Sequence, residues 1–226
     1  MTLLQEADRR ILSERLAAIE RPVRLLFFTQ TIGAPESTLV TRQILDEVAS
    51  LNDKVSVEEV NFVLEKDRAA AYGIEDIPAI VLLRNDADTR MRFLGAPSGY
   101  EFASFIDAVV LAGTNDSGLS VATRESLSAR LKDPLDILVF VTPTCPHCPK
   151  AVTLAHRLAV ESPLVRATCV EATEFMELSR RYRVNGVPKT VVVNHDVELL
   201  GALPEDEFVE GILRGSGQDQ STSDTQ

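Results

Sequence analysis

Two of the three cysteines in this chain of 226 residues, Cys145 and Cys148, lie two residues apart in the segment PTCPHCPK. Cysteines at this spacing bind metals, form structural disulfides or act as a dithiol that exchanges electrons. Structural zinc needs four ligands. The further candidate ligands are Cys169, His156 and His195. Because the chain has no second cysteine pair, the sequence predicts no metal site and favours a working dithiol, with zinc as the less favoured alternative.

The two sulfurs are expected to have different roles. A strand is predicted over 137–141, and a helix is predicted to begin near Cys148. A cysteine at a helix N-terminus has a lowered thiol pKa, because unpaired backbone N–H groups and the helix dipole stabilise the thiolate. We therefore expect Cys145 to attack a disulfide and Cys148 to resolve the mixed disulfide that results. Pro146 and His147, between the sulfurs, are expected to tune the thiolate.

A second candidate element is the dipeptide Val187-Pro188, which opens a predicted strand. Only X–Pro bonds adopt the cis form at appreciable frequency, and a proline in a strand cannot donate a ladder hydrogen bond. We therefore expect a cis bond here, which would leave the Val187 backbone free to pair with a client segment. Val187 and Pro188 are predicted to bind substrate.

The sequence repeats itself once. AYGIEDIPAIVLL at 71–83 matches RYRVNGVPKTVVV at 181–193, and RLLFFT at 24–29 resembles ILVFVT at 137–142. Each half is predicted to contain a strand, a helix, a strand, a helix, a proline-initiated strand, another strand and a closing helix. This alternation predicts an α/β fold in which helices flank a mixed central sheet.

The repeat predicts two domains. Residues 1–115 form the first, with an amphipathic helix within 1–20, and residues 116–215 form the second. Gly, Asn, Asp and Ser mark 113–118 as the linker between them. The last residues, 216–226, are too polar to be buried and are predicted to be disordered. The apolar residues of the first helix are Leu3, Leu4, Ile11, Leu12, Leu16 and Ile19.

Composition argues against two classes of function. The chain has 34 acidic and 23 basic residues, a net charge of −11 that opposes nucleic-acid binding. No run of about 18 uncharged apolar residues is present, so no membrane span is predicted. The first twenty residues lack the basic and apolar regions of a secretory signal, which predicts a cytoplasmic location. In that reducing compartment a C-x-x-C motif is typical of a catalytic or metal-binding site.

The dithiol segment and the later proline together resemble a known family. A strand, a C-x-x-C motif, a helix and a later V-P pair resemble the thioredoxin superfamily, with VFVTPTCPHCPKAV as the most specific segment. Two such units resemble the protein disulfide oxidoreductases, which are glutaredoxin-like proteins with two tandem thioredoxin-like folds. The amino-terminal portion of the alkyl hydroperoxide reductase flavoprotein is similar too. An iron–sulfur cluster shared between two chains, as some glutaredoxins bind, is disfavoured by the proline in the motif.

The resemblance implies thiol–disulfide exchange with protein substrates. Its implied partners are protein disulfides and dithiols, together with a thioredoxin-reductase-like flavoprotein or a peroxiredoxin, and no bound cofactor is expected.

The first half departs from the family pattern. Ile32 and Pro35 align with the two cysteines, so this half has no thiol, although it keeps Ile77-Pro78. We expect a degenerate first active site with a structural or client-binding role. Val139 occupies the position where thioredoxins carry a buried aspartate, so proton transfer must use water or another group.

Some residues have simpler expected roles. Cys169 alternates along a strand and is expected in the core. Tyr72 and Tyr182 are expected to pack at helix ends, and His156 and His195 are expected on the surface.

The sequence as a whole predicts a cytoplasmic thiol–disulfide oxidoreductase that exchanges disulfides with protein substrates through a single CPHC dithiol. Two alternatives stay open. One is a tandem thioredoxin-fold scaffold that binds clients with a redox-silent dithiol, and the other is a dedicated electron donor to a peroxidase.

Overall fold

A computed structural model describes residues 3–114, 116–193, 195 and 197–215, so the tail predicted over 216–226 lies outside the described residues. Each half follows the predicted order of elements. The first half contains α1 (Glu6–Leu16), β1 (Val23–Thr29), α2 (Ser37–Ala49), β2 (Val55–Asn61), α3 (Lys66–Ala71), β3 (Ala79–Arg84), β4 (Ala87–Leu94) and α4 (Glu101–Thr114). The second half contains α5 (Val121–Arg130), β5 (Leu135–Val141), α6 (Cys148–Glu161), β6 (Val165–Glu171), α7 (Met176–Arg181), β7 (Lys189–Val193), β8 (Val197–Leu200) and α8 (Glu205–Gly215).

The strands of both halves belong to one sheet. Within the described residues it has eight strands in the order β2-β1-β3-β4-β6-β5-β7-β8. The halves join where β4 pairs in parallel with β6, in a register that runs from Met91 opposite Ala167 to Leu94 opposite Val170. Of these eight strands, β3 and β7 run against the other six. The C-terminal ends of those six strands therefore share one end of the sheet, which we call the dithiol end because the Cys145 loop follows β5.

The two faces of the sheet are covered differently. One continuous core, formed with α1, α2, α4, α5, α6 and α8, covers one face across both halves. The other face carries two separate cores, one around α3 and one around α7. Tyr72 and Tyr182 end these two short helices and pack against Phe28 and Phe140, which confirms their predicted role. No helix within the described residues is long and apolar enough to cross a membrane.

The junction between the halves differs from the prediction in part. Helix α4 continues to Thr114, inside the predicted linker, and residues 116–120 precede a helix that the sequence pattern did not predict, α5. Ser120 caps α5, since its side chain accepts a hydrogen bond from the backbone N–H of Thr123. The amphipathic first helix is confirmed in part, because Leu12 and Leu16 are buried whereas Ile11 is exposed.

The surface position predicted for His156 is wrong. This side chain is 1% exposed and packs edge-on against Phe93 at 5.0 Å between ring centroids. Its ring nitrogens face the backbone of Arg92 and Ala167 but reach hydrogen-bonding geometry with no described residue. Burial lowers the pKa of His156 to about 4, so the ring is neutral in the core at physiological pH. His195 is partly exposed.

Candidate active site

Strand β5 delivers the two cysteines to the dithiol end. Its residues are mostly buried and apolar, as expected of a central strand that is covered on both faces. The chain then turns through residues 142–147 and enters α6 at Cys148. Pro149, in the first turn of α6, favours a helix start because its missing N–H needs no intrahelical partner there.

Cys145 and Cys148 form a disulfide, with 5.5 Å between their Cα atoms. The backbone N–H of Cys148 donates a hydrogen bond to the Sγ atom of Cys145 over 3.1 Å. Cys145 is 8% exposed, and Cys148 is fully buried. The more accessible sulfur, that of Cys145, thus lies in front of the N-terminus of a helix of 14 residues, where negative charge is stabilised.

The residues between the cysteines are both exposed. His147 occupies the N-cap position of α6, although its side chain makes no capping hydrogen bond. Pro146 precedes it at the surface. Their effect on the thiolate stays a prediction.

The Val187–Pro188 bond is cis, as predicted. The carbonyl of Pro188 accepts a hydrogen bond from the N–H of Gly201, whereas the N–H of Val187 has no hydrogen-bond partner among the described residues. A groove of about 500 Å³ lies along this segment. Its lining includes Arg183, Asn185, Val187, Pro188 and Leu200. The arrangement leaves one backbone donor open for an extended segment.

The first half touches the loop that carries the dithiol. The N–H of Tyr100 donates to the carbonyl of Pro143 over 2.9 Å. Gly99 has a φ of +60°, and a Cβ atom there would lie 2.2 Å from that same carbonyl oxygen. Glycine is needed at this position, both for the left-handed backbone and for the close approach of the two chain segments.

A buried carboxyl group, which the sequence pattern did not single out, lies at the start of α4. Glu101 is 2% exposed, and its Oε2 atom accepts a hydrogen bond from Ser104 Oγ at 2.6 Å. The Sγ atom of Cys169 is 3.8 Å from the same oxygen. Oε1 is buried and lacks a partner among the described residues. Burial raises the pKa of Glu101 to about 7, so this carboxyl group can gain or lose a proton near neutral pH.

Glu101 and Cys148 occupy equivalent positions on neighbouring helices. Each is the first residue of its helix, both helices start at the dithiol end, and α4 packs against α6. Cys169 lies opposite Val139 in the β5–β6 register. A carboxyl group from the first half therefore enters the same region of the core in which Val139 supplies none. No sequence signal marks it, because a glutamate in a first helical turn is usually an exposed capping residue.

The buried position predicted for Cys169 is confirmed. Burial and the neighbouring Glu101 carboxyl raise its thiol pKa well above the ordinary value. Among the described residues no group of three or more His, Cys, Asp or Glu side chains is arranged to hold a metal ion.

The first half has the backbone of the same site without its sulfurs. The Ile77–Pro78 bond is also cis, and the N–H of Gly95 donates to the Pro78 carbonyl as Gly201 does to Pro188. Ile32, aligned with Cys145, is 89% exposed.

Comparisons with known proteins agree with this geometry. A model of the thioredoxin domain family matches residues 135–214. The alkyl hydroperoxide reductase component AhpF of Pseudomonas putida is 26% identical over 187 residues, which are 79% of this chain but 36% of that protein. The chain thus spans about a third of the length of this curated relative.

Solved structures match nearly the whole chain. A structure of AhpF from Enterococcus faecalis is 30% identical, with a TM-score of 0.85, over 93% of this chain and 99% of that one. A protein disulfide oxidoreductase from Aeropyrum pernix is 26% identical, with a TM-score of 0.86, over 96% and 95%. The chain belongs to the thioredoxin-fold family, with two tandem thioredoxin-like folds, and the second fold carries the Cys-x-x-Cys disulfide.

Proposed function

We propose that this chain exchanges disulfides with protein substrates through the single dithiol of Cys145 and Cys148. The observation that carries the proposal is the hydrogen bond from the Cys148 backbone N–H to Cys145 Sγ at the start of α6. This donor and the helix dipole stabilise a thiolate on the more accessible sulfur, which is the sulfur that must react first.

The exchange proceeds in two steps. The Cys145 thiolate attacks one sulfur of the client disulfide, so that a mixed disulfide forms and one client thiolate leaves. The Cys148 thiolate then attacks Cys145 Sγ, closing the disulfide seen here and releasing the second client thiolate. The client gains two electrons and, once its thiolates are protonated, two protons. Val187 and Pro188 hold the client as an added strand, with the open N–H of Val187 as the donor.

We propose that the carboxyl group of Glu101 accepts the thiol proton of Cys148. The resolving thiol is buried and must lose its proton before it attacks. A carboxyl group with a pKa near 7, at the same end of the neighbouring helix, accepts a proton at a pH at which the reaction runs. In this proposal Glu101 takes the proton-transfer role of the buried aspartate that thioredoxins carry at the position of Val139.

The second candidate is a dedicated donor of electrons to a peroxidase, such as a peroxiredoxin. The AhpF relatives, which are named as components of an alkyl hydroperoxide reductase, favour it. The chemistry at Cys145 is the same, with a thioredoxin-reductase-like flavoprotein as the source of electrons, but the range of clients is narrow. In the other alternative, a scaffold, the dithiol is redox-silent.

The two halves are proposed to have separate roles. Residues 116–215 carry the chemistry, and residues 1–115 support it or bind the client. The cytoplasmic location also remains a proposal, based on the low number of cysteines, three, which is typical of proteins in a reducing compartment.

Reduction of insulin with dithiothreitol as the electron source tests the function. We expect the wild type to accelerate precipitation of insulin chains, and Cys145→Ser and Cys148→Ser to lose that acceleration. A wild type with free thiols that leaves insulin intact but reduces an oxidised peroxiredoxin supports the dedicated donor. A wild type that reduces neither contradicts both redox functions and leaves the scaffold.

A further inference from the structure

Exposed apolar side chains of the first half gather at the dithiol end. Large apolar side chains are exposed after the C-terminal ends of β1, β2 and β4, where loops in a soluble domain are usually polar. They are Ile32, Leu39, Val40, Val63, Leu64 and Tyr100. Several large exposed apolar side chains at one end of a sheet favour an interaction site there, because exposed apolar surface lowers solubility without adding to the core.

A cavity adds depth to this surface. It has a volume of about 270 Å³ and lies between α2, the start of α4 and the segment before α1, which contributes Leu3 and Leu4. Val40, Ile44 and Phe102 line it together with Gly99. Gly99 is also the residue that touches the Pro143 carbonyl. The cavity therefore adjoins the loop of the dithiol itself.

The degenerate site of the first half has the properties of a binding site that does not react. Ile32 stands almost fully exposed in the place of the attacking cysteine. The backbone N–H of Ile77, before the cis-Pro78, has no hydrogen-bond partner among the described residues. An apolar side chain and an open backbone donor can hold a polypeptide segment, whereas no thiol is present to exchange with it.

We propose that the first half is a docking surface, formed by Ile32, Leu39, Val40, Tyr100 and the adjoining cavity, for a folded protein whose disulfide is exchanged at Cys145. The proposal rests on the proposed exchange function and specifies the class of client. The client is a folded domain, and it touches both halves at once.

The position of the docking surface relative to the dithiol indicates that a folded client occupies it. A client sulfur must reach Cys145, and the Tyr100–Pro143 hydrogen bond places the Tyr100 end of the docking surface beside that loop. The loop after β1 carries Ile32, and the loop after β5 carries Cys145. In the sheet β5 is the fourth strand from β1, so the two loops are roughly 20 Å apart at the usual strand spacing. A client that binds only as an added strand in the Val187–Pro188 groove lies along the strands, so it does not extend across the sheet to Ile32. A folded protein with a contact area of about 800 Å² covers both loops.

Exchange rates with a large and a small disulfide test the proposal. The folded probe is a two-cysteine peroxiredoxin in its disulfide form, and the small probe is 2-hydroxyethyl disulfide. For Ile32→Ser and Leu39→Ser, we expect the ratio of kcat/KM for the peroxiredoxin to kcat/KM for the small disulfide to fall about tenfold, because one apolar anchor is lost. Ile11→Ser and Val121→Ser remove exposed apolar side chains outside the surface, and should keep the wild-type ratio.

The outcomes separate the two proposals. A wild type that turns over neither probe overturns the exchange function, and docking falls with it. If the wild type turns over the small disulfide but not the peroxiredoxin, or if all four variants keep the wild-type ratio, docking alone is overturned. An equal fall in the Ile11 and Val121 variants also overturns it, because the effect would then not belong to this surface.

Hydrogen exchange gives a direct second measurement. Cys148→Ser, linked through Cys145 to the same peroxiredoxin as a mixed disulfide, should show slower amide exchange over 31–41 and 98–102 than the unlinked variant. Unchanged exchange in both segments would overturn the docking proposal even if the kinetic ratio falls.

Discussion

The backbone N–H of Tyr100 donates a hydrogen bond to the carbonyl of Pro143, two residues before Cys145. This bond connects the half without a thiol to the loop that carries the thiols. The side chain of Glu174 adds a similar link from the second half, since its Oε1 accepts a hydrogen bond from the Ala96 N–H over 2.9 Å. With the β4–β6 pairing beneath them, these contacts make the position of the dithiol loop depend on the first half.

Gly99→Ala tests that dependence. The added methyl group would meet the Pro143 carbonyl oxygen at 2.2 Å, on a backbone with a φ of +60°. We expect the free energy of unfolding to fall by about 2 kcal/mol, since strain from the left-handed backbone and overpacking add together. The insulin assay should also slow, because the loop before Cys145 must move. Urea unfolding and the assay measure the two effects.

Gly118→Ala is the matched control for this change. Gly118 also has a left-handed backbone, with a φ of +63°, but an added Cβ there meets only the end of the Arg157 side chain, at 3.8 Å. Gly118→Ala should lower the free energy of unfolding by the backbone strain alone and should leave the rate in the insulin assay unchanged. Equal losses of stability in the two variants would show that the contact with Pro143 does not contribute to the free energy of unfolding.

Glu101→Gln should change the pH dependence of exchange. If the carboxyl group takes the proton of Cys148, its loss slows resolution of the mixed disulfide by about tenfold or more above pH 7, where Glu101 is ionised. The rate in the wild type should rise through pH 7, whereas the variant should lack this inflection. Stopped-flow decay of the mixed disulfide, followed from about pH 5.5 to about pH 8.5, measures both effects.

Stability provides a second readout for Glu101. Its pKa in the folded protein is raised from 4.5 to about 7, so the folded state holds more protons than the unfolded state between these values. The stabilising contribution of the protonated group is full below pH 4.5 and is lost as the pH rises through 7. Glu101→Gln should remove that loss, while Glu177→Gln, which changes an exposed carboxyl group, should keep the wild-type curve.

His156→Leu should change the pH dependence of stability on the acid side of neutrality. The pKa of His156 is lowered from 6.5 to about 4 by burial, so the folded state binds fewer protons than the unfolded state in this range. Its contribution to stability is present above pH 6.5 and is lost as the pH falls toward 4. Urea unfolding of His156→Leu should show a shallower loss of stability in this interval. His147→Gln, which changes an exposed histidine, should follow the wild type, and a variant His156→Leu that does so too would contradict the assignment.

The sequence allowed the prediction of features that depend on local pattern. The repeat, the order of strands and helices, the helix that begins at Cys148 and the cis bond before Pro188 all follow from periodicity and proline chemistry. The features that it missed arise from contacts between the halves. His156 is buried because α6 lies between α4 and the β4–β6 junction, so that more than one face of this helix is covered. Glu101 is buried for the same reason. His156 shares the helical spacing of the buried Val152 and Ala159, but its polar side chain argued against burial in the sequence.

The three cysteines should differ in reactivity in the reduced protein. Cys145 is the accessible sulfur at the helix start, whereas Cys169 is buried, with a thiol pKa held well above its ordinary value. We therefore expect Cys148→Ser to accumulate a mixed disulfide between Cys145 and insulin. Cys145 attacks an insulin disulfide, and the thiol that would resolve the mixed disulfide is missing. Nonreducing electrophoresis detects this adduct. Cys145→Ser should form little of it, and a Cys148→Ser variant that also carries Cys169→Ala should form as much as Cys148→Ser alone. An adduct that persists in Cys145→Ser would assign the attack to Cys148 and reverse the proposed roles of the two sulfurs.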